Sequence, residues 1–347
     1  MQSPQDNTSL RSKVRRVVGS SLRGSPAPVQ DVLKRGSTRL LQALGAPPDP
    51  RSPAEHRLVW QTPEVPLPDG LSLAEVEKAL RSWSVNGEPV GHLDGYVTDS
   101  QLRFLYTWGL VRNDTGRCLE LGGNPYFTTW LLDKYTDLEL TLANYYGGEP
   151  GETRETVSWL PPGATTRVDS ERLSDMFNVE EDEFPYADDS FDVVLFCEMI
   201  EHMLMDPLAT LRQIHRVLKP NGVLILTTPN VVRLDNVLRM LHGANIYDPY
   251  SGYGPYGRHN REYTRHELHR LLDFAGFEIE TSMTADGHPS DATKWEMYDV
   301  AAPLVEFRQP DLGHYLYVRA RATRPPREGL PSFLYRSWPD GKIVGFE

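Results

Sequence analysis

Residues 184–230 read FPYADDSFDVVLFCEMIEHMLMDPLATLRQIHRVLKPNGVLILTTPN, and the order of apolar runs in them decides the fold. Phe191–Phe196 (FDVVLF) and Val223–Thr228 (VLILTT) are continuously apolar, as expected of strands covered on both faces. Between them, about 206–218, the spacing predicts an amphipathic helix, and Asn221-Gly222 marks a turn into the second strand. Strand, helix and strand in that order imply a right-handed crossover within a parallel sheet. Upstream, Arg117–Leu121 is a strand running into glycines and Leu138–Tyr145 is another. Downstream, Thr264 with Glu267 forms a capping box and Gly276 supplies a stop. Phe277–Ser282 and Tyr315–Ala322 alternate in polarity and read as edge strands, the latter an antiparallel strand that joins late. The expected class is α/β, with a doubly wound, mostly parallel sheet.

The chain has 347 residues and a formal net charge of -12, which disfavours general binding to a nucleic-acid backbone. Its charge is uneven. Residues 1–46 hold eight basic residues (Arg11, Lys13, Arg15, Arg16, Arg23, Lys34, Arg35, Arg39) against Asp6 and Asp31, so the arm is +6 and the remainder -18. Leu10, Val14, Val17 and Val18 fall at helical spacing there, and such a basic amphipathic arm suits peripheral contact with an anionic membrane or an acidic partner. The alternative is a frayed arm whose charges are simply solvated. Two cysteines, Cys118 and Cys197, cannot form a disulfide framework and suit a reducing cytoplasm. No apolar run approaches a membrane span, and no secretory h-region is present. The pattern carries no signature of a particular oligomeric state.

Residues 47–99 read as a proline-rich linker or extended wrap followed by a helical extension. There Ser72 and Glu75 form a capping box, and the helix they open turns Leu73, Val76, Ala79, Leu80 and Trp83 inward. A second helix is expected from Ser100 to Val111, opening a main domain that spans 100–323, and 324–347 reads as a tail.

Ligands on open α/β sheets bind at the carboxyl ends of the strands, so Glu120-Leu121-Gly122-Gly123-Asn124 is the first place to look. Glycines there permit close backbone approach and a helix N-terminus follows, although turn chemistry alone accounts for them equally well. The succession CLELGGN, DEFPYADDSFDVVLFCEMIEH and RVLKPNGVLILTTPN over residues 100–323 resembles the class I S-adenosylmethionine-dependent methyltransferases, with a Rossmann-like fold. The resemblance implies S-adenosyl-L-methionine as cofactor. It assigns Glu120, Gly122, Gly123 and Asn124 to the methionine-proximal loop and Asn144 to the ribose hydroxyls. Asn178 and Val179 fall at the adenine edge, and Cys197 on the cofactor's other side. Two departures stand out: Asn124 and Tyr126 where further glycines are usual, and neutral Asn144 where an acid is usual.

Glu198, Glu201 and His202 follow the FDVVLF strand directly, and helical spacing there would put all three on one face. Crowded carboxylates and imidazole call for a cation, with Mg²⁺ or Mn²⁺ suiting the oxygen ligands; otherwise Glu198 caps the turn and His202 merely packs. The E-x-x-E-H element, with His259 in HNREYT, resembles the metal-site pattern of small-RNA 3′-terminal 2′-O-methyltransferases and of ubiquinone-pathway O-methyltransferases. That resemblance implies a divalent metal on Glu198, Glu201, His202 and His259, with His202 or His259 as general base if no metal binds. The insert 231–263 carries one apolar helical stripe (Leu234, Val237, Leu238, Leu241) and then Tyr247, Tyr250, Tyr253, Tyr256 and Tyr263 among glycines. Such rings suit stacking on sugars, and an irregular packed loop is the plainer alternative. The expected function is metal-assisted O-methylation of a sugar, polysaccharide or glycosylated small molecule. An RNA 3′ end is the second acceptor considered, and a non-catalytic methyltransferase-like scaffold that binds a partner the third possibility.

Overall fold

The computed structural model describes residues 63–288, 292–295, 297–338 and 342–345. The basic arm and the first part of the proline-rich segment lie outside the described residues. From Pro63 to Pro68 the chain runs extended along the second helix. Tyr106 Oη donates to the Pro63 carbonyl at 2.6 Å, and a Cβ on Gly109 would stand 2.4 Å from Pro66 Cγ. The missing side chain at Gly109 allows this close approach.

Helix α1 (Leu73–Arg81) opens on the expected reciprocal capping box of Ser72 and Glu75, and buries Val76, Ala79 and Leu80. A two-residue strand β1 (Ser84–Val85) leads to helix α2 (Asp94–Val111), which begins a turn and a half before the expected Ser100. Leu93, with no side-chain cap, precedes it, so no capping signal marks the true start. Then follow β2 (Thr115–Leu121), α3 (Phe127–Tyr135) and β3 (Asp137–Asn144). A hairpin, β4 (Gly151–Trp159) with β5 (Val168–Met176), comes next, before β6 (Phe191–Cys197). Helix α4 (Pro207–Val217), capped by Asp206, leads into β7 (Leu218–Pro229). Beyond lie α5 (Leu234–Leu241), α6 (Arg265–Phe274), β8 (Phe277–Ala285), α7 (Tyr298–Val305) and β9 (Tyr315–Ala322). Short strands β10 (Leu330–Pro331) and β11 (Ile343–Val344) pair in parallel.

Nine strands form one sheet in the order β1-β4-β5-β3-β2-β6-β7-β9-β8. The pairs β5–β3, β3–β2, β2–β6 and β6–β7 are parallel, while β9 runs antiparallel to both β7 and β8. This is the expected doubly wound, mostly parallel α/β sheet with a late antiparallel strand. One correction applies: β9 is not an edge strand. It inserts between β7 and β8, and Leu316, Tyr317, Val318 and Ala320 are fully buried. The β4–β5 hairpin and β1 extend the opposite edge and were not foreseen.

Alternate residues of the central strands feed two cores. Val193, Leu195, Val223 and Ile225 pack with Leu80, Trp83, Phe127 and Trp130 on one face. Val194, Phe196, Leu224 and Leu226 pack with Leu211, Ile214, Leu268 and Leu271 on the other. Trp83 joins the extension to the hairpin, stacked on Trp159 with ring centroids 4.8 Å apart. The segment read as a tail is also tied down: Tyr335 Oη donates to Asp206 at 2.6 Å and accepts from the Leu208 amide.

Candidate active site

The parallel strands end together at one edge, and most of the residues singled out from the sequence gather there. Gly122 follows β2 with φ 71°, a conformation that favours glycine, and a Cβ would meet Met199 Sδ at 2.8 Å. A cavity of about 290 Å³ beside it is lined by Gly122, Asn124, Asn144, Asn178 and Val179, with Tyr256 and His202 opposite. A smaller space of about 40 Å³ on the other side of Gly122 is lined by Glu120, Gly123, Cys197, Glu198 and Arg103. All eight residues assigned to the cofactor from the sequence therefore line one space or the other.

Their side chains are not equally free. Glu120 is buried and accepts from Thr129 at 2.6 Å; burial raises its pKa to about 7 despite that bond. Cys197 is likewise pushed up to about 12 by burial, which makes it a neutral wall rather than a thiolate. Asn144 accepts from the Asn124 amide and donates to Tyr126 Oη and Ser174 Oγ, both at 3.1 Å. Its amide is committed to neighbours, which departs from the expected grip on ribose hydroxyls. The acid near this corner comes instead from the unforeseen hairpin. Glu155 on β4 accepts from Tyr126, Tyr146, Asn124 and Asn86. Asn178 donates to Tyr256 Oη at 3.1 Å, so a tyrosine of the insert closes against this cavity.

The second cluster lies at the turn after β6. Glu201 is fully buried; Oε2 accepts from Thr228 at 2.9 Å, while Oε1 has no hydrogen-bond partner. Desolvation raises its pKa well above the ordinary range, and the charge of Glu198 adds to the rise. His202 Nε2 stands 3.9 Å from that orphaned oxygen. The ring's Nδ1 faces the Arg258 carbonyl at 2.9 Å, which only accepts, so Nδ1 carries the proton and Nε2 presents its lone pair. Burial and then His259 lower the His202 pKa, keeping the ring neutral. His259 repeats the arrangement, with Nδ1 on Glu262 at 3.0 Å. Burial works against ionisation of Glu262, but His259 and Arg233 outweigh it and hold its pKa low. The segment bearing His259 is stitched to the turn, because the amides of Asn260 and Arg261 both donate to the Glu201 carbonyl.

Ligand atoms of Glu201, His202 and His259 all lie within 4.8 Å of one another. Around a small divalent ion only one pair of three ligands can stand opposite, at roughly 4.2 Å, while neighbouring ligands stand roughly 3 Å apart, so the cluster needs to contract by on the order of an ångström. A buried unpaired carboxylate oxygen with two oriented imidazoles fits a cation in chemistry. Glu198, expected as a fourth ligand, is placed apart from these three. The helical spacing that would align it does not form: Glu198 has φ 54°, and only Ile200–His202 make a short 3₁₀ turn. Its carboxylate pairs with Arg103 at 2.6 Å and accepts from Thr227 at 2.8 Å.

Beyond His259 opens a larger cavity of about 620 Å³ beneath the insert. Asn245 to Pro249, Arg239, Trp295 and the pair Asp235–His314 (3.0 Å) line it. Sequence reasoning missed Arg103, Glu155 and His314. Each lies outside the motifs and reaches the site only through folding.

Residues 91–282, more than half of the chain, match the family described as "Methyltransferase domain". The chain belongs to this family. The methyltransferase domain is similar to a protein of Mycolicibacterium smegmatis named as a probable S-adenosylmethionine-dependent methyltransferase, with 35% identity over 101 residues. That match covers 29% of this chain and 34% of the relative, so the chain spans about a third of the length of the curated protein it matches. Among solved structures, a SAM-dependent methyltransferase from Archaeoglobus fulgidus is similar at 12% identity and TM-score 0.40, covering 66% of this chain and 99% of that one. Another from Mesorhizobium loti is similar at 15% and 0.35, covering 62% and 95%. Among the described residues, no helix of the methyltransferase domain is long and apolar enough to cross a membrane.

Proposed function

We propose that the protein transfers the methyl group of S-adenosylmethionine to a hydroxyl of a sugar-bearing acceptor, assisted by a divalent cation. The observation that carries this reading is the position of the Glu201–His202–His259 cluster. His202 lines the cavity beside Gly122, and His259 lines the larger cavity beneath the insert. The cluster thus stands between a donor space and an acceptor space. Glu201, His202 and His259 would hold the cation, and two imidazoles to one carboxylate favour Mn²⁺ over Mg²⁺. When bound, the cation supplies Lewis acidity that lowers the pKa of an acceptor hydroxyl.

The chain's own residues do the rest. Gly122 and Gly123 let the donor approach the strand ends, Asn178 and Val179 border the adenine, and Cys197 walls off the far side. The Nε2 lone pair of the neutral His202 ring is what it offers the cation; only where no cation binds does that lone pair become the group that takes the hydroxyl proton. Asn236, Asn245, Asp235 and Asp248 offer hydroxyl-binding groups around the acceptor, and Trp295 offers a face for a sugar ring. The same walls set Asp235, Asp248 and Glu262 against Arg233 and Arg239, and Arg233 is already paired with Glu262, so they offer no cationic surplus to a phosphate backbone, which weighs against an RNA 3′ end.

A methyl-transfer assay against a panel of mono- and oligosaccharides, with an RNA 3′ end included, tests the reading. Carbohydrate methylation should appear with Mn²⁺, fall to background in EDTA and lose its metal response in His259→Ala. Undiminished activity in EDTA would remove the cation, and methylation of the RNA alone would reverse the acceptor.

A further inference from the structure

Glu198 falls where the sequence spacing puts a fourth cation ligand, yet Arg103 holds it elsewhere. Arg103 is 6% exposed, comes from α2, and lines the small space on the Glu120 side of Gly122. The rings of Tyr96, Phe104 and Tyr315 surround its guanidinium at 5.2–5.4 Å and shield it from water. Among the residues lining that space it is the one cation, facing the carboxylates of Glu120 and Glu198. The space is about 40 Å³, room for about three water molecules, and too small for the amino-acid end of a methyl donor. Something in its wall must yield when that end enters. The Arg103–Glu198 pair is the part of the wall with a second partner available to each member: an incoming carboxylate for Arg103 and, for Glu198, the cluster whose Glu201 and His202 follow it on the same turn after β6.

We propose that the methionine carboxylate of the donor takes Arg103 from Glu198, and that the released Glu198 joins Glu201, His202 and His259 as a fourth cation ligand. This rests on the donor and cation reading above. Two carboxylates then compete for one guanidinium. The displaced one is repelled by the newcomer and would be drawn toward the cation. Cation affinity and donor affinity become linked, each raised by the other through the same factor.

Calorimetric titration of Mn²⁺ into the full chain reads this linkage without any turnover. Saturating S-adenosylhomocysteine, which keeps the carboxylate, should tighten Mn²⁺ binding at least tenfold. Methylthioadenosine, which fills the adenosine end but lacks the amino acid, should leave it unchanged. Glu198→Gln should bind Mn²⁺ with one affinity whether or not S-adenosylhomocysteine is present. Arg103→Met should bind Mn²⁺ without nucleoside as tightly as the unaltered protein does with S-adenosylhomocysteine. Mn²⁺ affinity indifferent to S-adenosylhomocysteine, equal tightening by methylthioadenosine, or linkage preserved in Glu198→Gln overturns the exchange. Absence of Mn²⁺ binding in every state removes the cation reading itself, and the exchange with it.

Discussion

A buried carboxylic acid beside a cofactor space is a compromise between binding and stability, and Glu120 makes the size of it measurable. In the folded chain its pKa is raised from the ordinary 4.5 to about 7, chiefly by burial. The folded state therefore holds this proton more tightly than the unfolded chain does. Its contribution to stability is complete below about pH 4.5 and is lost as the pH rises to about 7. At about 1.4 kcal/mol per unit, the loss is on the order of 3 kcal/mol. Glu120→Gln has no proton to lose and keeps an acceptor for Thr129. Urea denaturation between pH 4.5 and 8 should show the variant gaining on the unaltered protein across that window by up to that amount. Parallel pH profiles for the two proteins would refute the assignment. The burial that makes Glu120 a liability above about pH 7 also suits it to a cationic ligand group, since a nearby ammonium restores the charged form.

At the scale of elements, the part of the N-terminal extension around Trp83 belongs to the body of the fold. Trp83 is fully buried, stacked on Trp159 of the hairpin and edge-on to Phe127 at 5.6 Å. Trp83→Ala should lower unfolding free energy by about 3–5 kcal/mol, the usual range for removing a buried indole. A loss below 1 kcal/mol in denaturant titration would mean that the extension is only an appendage. The central strands could be read from the sequence because burial on both faces made FDVVLF and VLILTT continuously apolar. The hairpin could not. GETRETVSW and VDSERLSDM lie toward a sheet edge, keep many residues exposed, and carry too few apolar positions to announce strands. Glu155 was hidden for the same reason, although four donors converge on it. Glu201 and His202 were legible from their spacing, whereas His259, distant in sequence, was reached only through the family resemblance. Glu198 was misplaced because a left-handed backbone at a non-glycine residue leaves no trace in spacing.

At the scale of the whole molecule, the two larger cavities described above share one element in their walls, the 231–263 insert, and this offers binding in the proposed donor space a route to the proposed acceptor space. Tyr256 accepts from Asn178 at the cavity beside Gly122, Arg258 fixes His202 through its carbonyl, and Asn245 to Pro249 line the larger cavity. Any closure of Tyr256 on a bound nucleoside must therefore tighten the stretch between these points. That stretch displays Tyr247, Tyr250 and Tyr253 at 81%, 91% and 93% exposure, which makes it the natural target for chymotrypsin. Cleavage after these tyrosines requires the segment to open locally, so its rate reports the opening equilibrium. S-adenosylhomocysteine should slow cleavage at the three sites several-fold in the unaltered protein and much less in Tyr256→Ala, where the contact with Asn178 is gone. Equal protection in both proteins would show that the nucleoside acts elsewhere. Cleavage unaffected by the nucleoside would show that the two cavities are filled independently, in either order.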